Sequence, residues 1–141
     1  MTLLKMYAIT AIVLALKMSL IAVAQGRGRL KAGVFVNPED AKTFHAKEGA
    51  EDAPDVQRAA RAWRNDLENI PMFLILAWIY VAAGLSVSAF VIYCVVFIIA
   101  RIVHTICYLN SIQPMRTISF TIGSIATVAL IVHLIIGVVL A

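Results

Sequence analysis

Four stretches of this chain are too long and too apolar for a water-soluble globule of 141 residues to bury. They cover residues 3–25, interrupted only by Lys5 and Lys17, residues 70–85, residues 87–109, and residues 118–141. Crossing the hydrocarbon core of a bilayer takes about 20 apolar residues. Apolar residues make up 62% of the chain and charged residues 14%, whereas soluble domains hold about 45–50% apolar residues. A small globule has too much surface for its volume to hide the excess. The expected fold class is therefore all-α: an integral membrane four-helix bundle forming one membrane domain. Its helices should cover about 3–25, 55–84, 87–109 and 115–140, with a long polar loop at 26–53.

Two of these segments need comment. The second apolar stretch is short alone, but the run from Val56 to Asn69 before it is rich in helix formers and free of Gly and Pro. The helix should begin near Pro54 or Asp55 with a polar lower half, and Pro71 is the expected kink. The first stretch is longer than the apolar core of a secretion signal and has no convincing small-residue cleavage site, so it reads as a retained helix. Cys94 and Cys107 fall in one helix about 20 Å apart, too far to bridge, and should stay reduced.

Followed up and down, the chain brings every Asp and Glu to one membrane face. All the Lys and Arg gather there too, except Lys5 and Lys17: Arg27, Arg29, Lys31, Lys42, Lys47, Arg58, Arg61, Arg64, Arg101 and Arg116. Positive charge marks the cytoplasmic side, which would leave both termini luminal. Loop charges such as Lys42, Lys47, Glu48, Glu51 and Asp52 read as a solvated surface. Charges inside helices do not, because even one at the bilayer centre costs at least about 2.5–3.5 kcal/mol.

Arg61, Arg64, Asn65 and Glu68 lie three and four residues apart in the second segment, on one helix face. Arg101, His104, Thr105 and Tyr108 repeat the spacing in the third. The fourth offers Arg116, Thr117, Phe120, Thr121 and Ser124. An internal salt-bridge network, for example Glu68 with Arg101, is one account of such stripes. It suits the whole set less well, because Arg61, Arg64, Arg101, His104 and Arg116 outnumber Asp66 and Glu68. Unpaired buried cations are unfavourable, so an anionic ligand is the economical partner.

Other chemistries fit poorly. His45, His104 and His133 are scattered without metal-ligand spacing, so no metal is expected, and His133 reads as structural. There is no glycine-rich phosphate loop and no visible serine nucleophile with its base. The net charge of +4 is modest and carries no basic stripe with interleaved aromatics, so no nucleic acid is expected.

The run Arg61-Ala62-Trp63-Arg64-Asn65-Asp66-Leu67-Glu68-Asn69 resembles a motif of the MAPEG superfamily, the membrane-associated proteins of eicosanoid and glutathione metabolism. The likeness extends to Phe35-Val36-Asn37-Pro38-Glu39-Asp40, to the segment from Arg101 to Leu109, and to that from Pro114 to Phe120. Four segments in order cover nearly the whole chain. The pattern looks most like the microsomal glutathione transferases and microsomal prostaglandin E synthases. The resemblance implies a homotrimer of four-helix subunits in the endoplasmic reticulum membrane, or the mitochondrial outer membrane, with glutathione bound between subunits near the cytoplasmic face. It implies that Arg116 stabilises the glutathione thiolate, with Thr117 beside it and Asp40 as an acidic residue near that arginine. Arg29, Arg64, Asn65, Glu68, His104 and Tyr108 match glutathione-contacting positions, and Arg101 matches a further pocket arginine.

The implied activity is conjugation of glutathione to a lipophilic co-substrate arriving through membrane lipid, with lipid-hydroperoxide peroxidase activity beside it. The alternatives are a glutathione-dependent prostaglandin E synthase, which isomerises an endoperoxide, and a non-catalytic lipid-binding scaffold of the same superfamily. The synthase pattern has a serine and a tyrosine where this chain has Thr117 and Phe120; Phe120 follows the transferases, whereas Arg64 leans towards the synthases. The first loop has no cysteine, so activation by thiol modification is not expected.

The charge asymmetry makes a direct prediction. Cysteine-accessibility labelling should find Lys47→Cys reactive from the cytosol and a C-terminal extension protected from it; cytosolic labelling of the extension would invert the orientation.

Overall fold

The computed structural model describes residues 1–140. Its elements in chain order are α1 (Leu3–Ala32), β1 (Val34–Phe35), α2 (Pro38–Thr43), β2 (Lys47–Glu48), α3 (Pro54–Ala82), α4 (Val87–Leu109) and α5 (Met115–Leu134), which runs on into a π turn at Ile135–Val139. Three of the helices are long and apolar enough to cross a membrane: α1, α4, and α5 with its π turn. The long helix α3 is amphipathic, as its charged lower half requires.

Local chemistry marks each boundary. Thr2 caps α1 by accepting from the Lys5 N–H at 3.2 Å. Pro54 opens α3 where its missing N–H has no partner to lose, and Ser86 caps α4. The first helix is longer than expected, ending at Ala32 rather than Gln25. Gly26 and Gly28 do not stop it. At Gly28 the helix passes so close to α3 that an added Cβ would stand 2.7 Å from a Val56 methyl. The stop is Gly33, whose left-handed φ of +64° lets its N–H close on the Arg29 carbonyl at 2.9 Å. The expected loop 26–53 therefore begins at Gly33 and is not structureless. Val34 and Phe35 pair in parallel with Lys47 and Glu48 around α2, and Phe35 stacks on Phe44 with ring centroids 5.1 Å apart.

The long helices form one bundle. α1 lies against α3 and α4, α5 lies along α4, and α3 meets both α4 and α5. The core between them holds Leu14, Ile70, Phe73, Ala77, Phe90, Phe97, Ala126 and Leu130, with Phe73 and Phe97 stacked at 3.8 Å. Cys94 and Cys107 are free and buried. His133 sits with two tyrosines, its Nδ1 3.2 Å from the Tyr80 hydroxyl and 3.1 Å from that of Tyr93. The outer surface is a belt of large apolar side chains, among them Ile12, Leu16, Ile75, Ile92 and Ile125. A water-soluble monomer rarely exposes so continuous an apolar surface.

Within this apolar frame three helices converge on one carboxylate. Asp66 of α3 is fully buried and pairs with Lys17 of α1 through Oδ2. Through Oδ1 it accepts from Arg101 of α4, at 2.6 Å from Nη2 and 3.2 Å from Nε. The salt bridge expected between Glu68 and Arg101 is thus made by Asp66 instead. Two residues turn a helix by about 200°, so when Asp66 points inward Glu68 points out, and Glu68 is exposed. Replacing Asp66 with Ala would strand two cations without a counter-charge. The expected loss is about 3–5 kcal/mol, read as a large fall in the thermal unfolding midpoint in detergent, whereas Glu68→Ala should move it little.

Candidate active site

Above the Asp66 cluster, towards the charged end of the bundle, lies a cavity of about 220 Å³ lined by Asn65, His104, Arg116, Thr117 and Phe120. Each wall has a local cause. Asn65 precedes Asp66 on α3, and its side-chain oxygen accepts from Arg101 Nη2 at 2.6 Å. The ion pair that fixes Arg101 therefore fixes Asn65 as well. His104 is one turn beyond Arg101 on α4 and buried. Its Nδ1 lies 3.0 Å from the Arg116 carbonyl. A carbonyl only accepts, so Nδ1 carries the proton and Nε2 holds a lone pair. That Nε2 is buried without a partner.

Arg116 and Thr117 open α5. The Arg116 guanidinium carbon stands 4.8 Å over the centre of the Tyr108 ring, a cation–π contact. Phe120 lies one turn further on, 5.8 Å from the His104 ring. Among the described residues no carboxylate lies within ion-pair distance of Arg116. The cavity can therefore take an anion against a guanidinium that has no counter-charge, with a hydroxyl and an amide beside it.

The other residues singled out in the sequence fall elsewhere. Arg101 lies behind the cavity, buried, with its Nε and Nη2 engaged by Asp66 and Asn65. Arg64 and Glu68 stand exposed on α3. Arg64 also lines a separate polar recess with Arg61, Gln57, Glu51 and Asp52. Arg29 is at the end of α1 and holds Asp52 in a two-pronged pair, both contacts 2.8 Å. Asp40 is on α2, accepting from Asn37 Nδ2 at 3.0 Å. Within one chain, then, Arg29 and Asp40 lie outside the cavity. Two residues went unmarked in the sequence. Lys17 reads there as an interruption of an apolar helix, although a lone cation in such a helix signals a buried partner. Gln113 precedes Pro114 in a short connection with no periodicity to mark it.

Known proteins share much of this sequence. The profile of the MAPEG family matches residues 7–136. The chain belongs to the MAPEG family. Among its relatives, prostaglandin E synthase of Macaca fascicularis is 35% identical over 113 residues, 79% of this chain and 74% of that protein. The human prostaglandin E synthase is 34% identical over the same shares. Microsomal glutathione S-transferase 1 of Bos taurus is 40% identical over 119 residues, 81% of this chain and 76% of that protein. The match to the family spans the cavity residues and the Asp66 cluster alike.

In this MAPEG chain the Arg29–Asp52 pair clips the end of α1 to the approach to α3. The guanidinium holds the Asp52 carboxyl below its ordinary pKa of 3.8. A carboxyl whose folded pKa is depressed adds stability above its unfolded pKa and loses it as pH falls through the folded value. Hydrogen exchange of residues 33–53 should therefore be constant from neutral pH down to about pH 4, after correction for the intrinsic rate, and accelerate below it. Asp52→Asn should exchange fast at neutral pH already.

Proposed function

We propose that this chain is a membrane-bound glutathione transferase that conjugates glutathione to lipophilic electrophiles, with lipid-hydroperoxide peroxidase activity as its second reaction. The observation that carries this reading is Arg116, a guanidinium at a cavity with no carboxylate within ion-pair distance among the described residues. A free thiol has a pKa of about 8.5, so little of it is thiolate at neutral pH. A fixed guanidinium beside the sulfur, at the start of α5 where the helix dipole also favours negative charge, stabilises the anion. The sulfur lone pair then forms the new bond to the electrophile while the leaving group departs with its bonding pair. Glutathione also carries two carboxylates and an ammonium. Arg64 suits a carboxylate through charge-assisted hydrogen bonds, Glu68 suits the ammonium, and Asn65, the His104 Nε2 and Tyr108 suit the peptide between.

A second copy of the chain completes the site in this reading. Arg61, Arg64, Glu68, Met72, Ile75 and Ile79 form one exposed stripe along α3 at spacings of three and four. A stripe that mixes charge with large apolar groups on a membrane-length helix suits a protein neighbour better than lipid. We take α3 as the fourth spanning helix, facing its counterparts in a homotrimer, with Arg29 and Asp40 supplied across the subunit boundary. The endoplasmic reticulum membrane, or the mitochondrial outer membrane, with the site towards the cytoplasm, is the location that fits this arrangement.

Glutathione-dependent prostaglandin E synthase is the second reading. It is favoured by the relatives of that name and by Thr117, whose hydroxyl could serve an endoperoxide oxygen; Phe120 offers none. A lipid-binding scaffold without activity is the third, and calorimetry that detects no glutathione binding would favour it.

The deciding experiment gives the purified protein both a chloronitrobenzene-type electrophile and a prostaglandin endoperoxide. Conjugation should be the faster reaction, and Thr117→Ala should lower it less than about tenfold. Arg116→Leu should keep the fold, abolish the ultraviolet thiolate absorbance of bound glutathione and greatly reduce turnover. Endoperoxide turnover far above conjugation, lost in Thr117→Ala, would establish the second reading instead.

A further inference from the structure

We infer that Gln113 is a positioning residue for the Arg116 guanidinium, and that it is suited to this task because it is neutral. The inference rests on the reading that Arg116 holds the glutathione sulfur as a thiolate.

The side-chain amide of Gln113 lies between Arg116 and Thr117. With its oxygen towards the arginine it accepts from Nη2 at 2.7 Å and from Nε at 3.1 Å, while its nitrogen donates to Thr117 Oγ1 at 3.1 Å. The reverse orientation would set N–H groups against N–H groups, so the network assigns the amide. One amide therefore grips both polar groups that open α5 at the cavity. Because Thr117 Oγ1 receives a hydrogen bond from Gln113, its own hydrogen is left to donate elsewhere. A guanidinium has five N–H donors; Gln113 takes two, and three remain for a ligand. The Tyr108 ring lies against the guanidinium face, and His104 holds the Arg116 carbonyl.

Every one of these partners is uncharged. The contrast within the molecule is direct, since Arg29 holds Asp52 and Arg101 holds Asp66. A carboxylate at position 113 would orient Arg116 equally well, through the bidentate pairing that guanidinium and carboxylate favour. It would also cancel the charge that must stabilise the sulfur anion. An amide supplies the geometry of that pair without its charge, so orientation and electrostatics are separated in one side chain.

The test compares the purified parent protein with Gln113→Met, Gln113→Glu and Arg116→Leu. Ultraviolet absorbance of the bound glutathione thiolate is titrated against pH, and kcat and KM are measured for conjugation. Gln113→Met should raise the thiolate pKa by about half to one unit and lower kcat, with KM for glutathione changed less than about twofold. Gln113→Glu should raise the thiolate pKa further, although it keeps the arginine in place. A purely structural role predicts the opposite order, with Glu close to the parent because it binds arginine well. Gln113→Glu titrating like the parent, or Gln113→Met leaving the thiolate pKa unchanged, would overturn the inference. If Gln113→Met does not fold, the Gln113→Glu titration decides alone. If Arg116→Leu keeps the thiolate band, the reading of Arg116 itself fails. If Arg116→Leu loses the band while both Gln113 variants titrate like the parent, only the role of Gln113 falls.

Discussion

The carboxylate of Asp66 is shared by Lys17 and Arg101, and the three residues come from α3, α1 and α4. In lipid, apolar faces do not drive helices together as they do in water, because the acyl chains are as apolar as the side chains. Directional polar contacts then specify which helix meets which and at what height. An ion triad in the middle of the bundle does this for three helices at once. The requirement is strict because among the described residues neither cation has another acidic partner, so any sliding of α1 or α4 against α3 separates charges that lipid cannot solvate.

The cavity inherits its geometry from that triad through covalent and hydrogen-bonded neighbours. Asn65 is held by the same guanidinium that grips Asp66. His104 follows Arg101 by one helical turn and reaches across to the Arg116 carbonyl, so the start of α5 is located relative to α4 by a single imidazole. α5 has no charged residue of its own in the cluster. Its register depends on this contact and on the apolar seam it shares with α4, including Ala126 and Leu130. Site and scaffold are therefore one connected structure.

Much of the bundle was legible in the sequence because membrane solvation is a severe filter. Long apolar runs must become helices, and the start of α3 at Pro54 is written in a residue with little conformational choice. The polar stripes on α3, α4 and α5 were legible for the same reason, and Asn65, His104, Arg116, Thr117 and Phe120 do meet at one cavity. What could not be read were choices settled only by packing. Asp66 and Glu68 are equally acidic, and which of them turns inward depends on the rotation of α3 against α1. The extension of α1 through Gly26 and Gly28 depends on α3 lying alongside, since glycines in an isolated helix would weaken it. Gln113 acquires meaning only once the connection before α5 folds back and sets its amide against Arg116.

The length of α1 exceeds what a bilayer core requires. Thirty residues of helix extend about 45 Å, while the hydrocarbon core is about 30 Å thick. The surplus at the C-terminal end carries Arg27, Arg29 and Lys31, so a helix that spans the core ends as a basic collar near the approach to α3. An anion approaching such a collar from water is enriched locally, as at an anion-exchange surface. On the function proposed above, a lipophilic molecule diffusing in the plane of the bilayer would instead approach past the apolar belt of α4 and α5. On that same function, the protein would be a phase-boundary device, standing across the layer in which a water-soluble and a fat-soluble reactant each lie close to their own solvent.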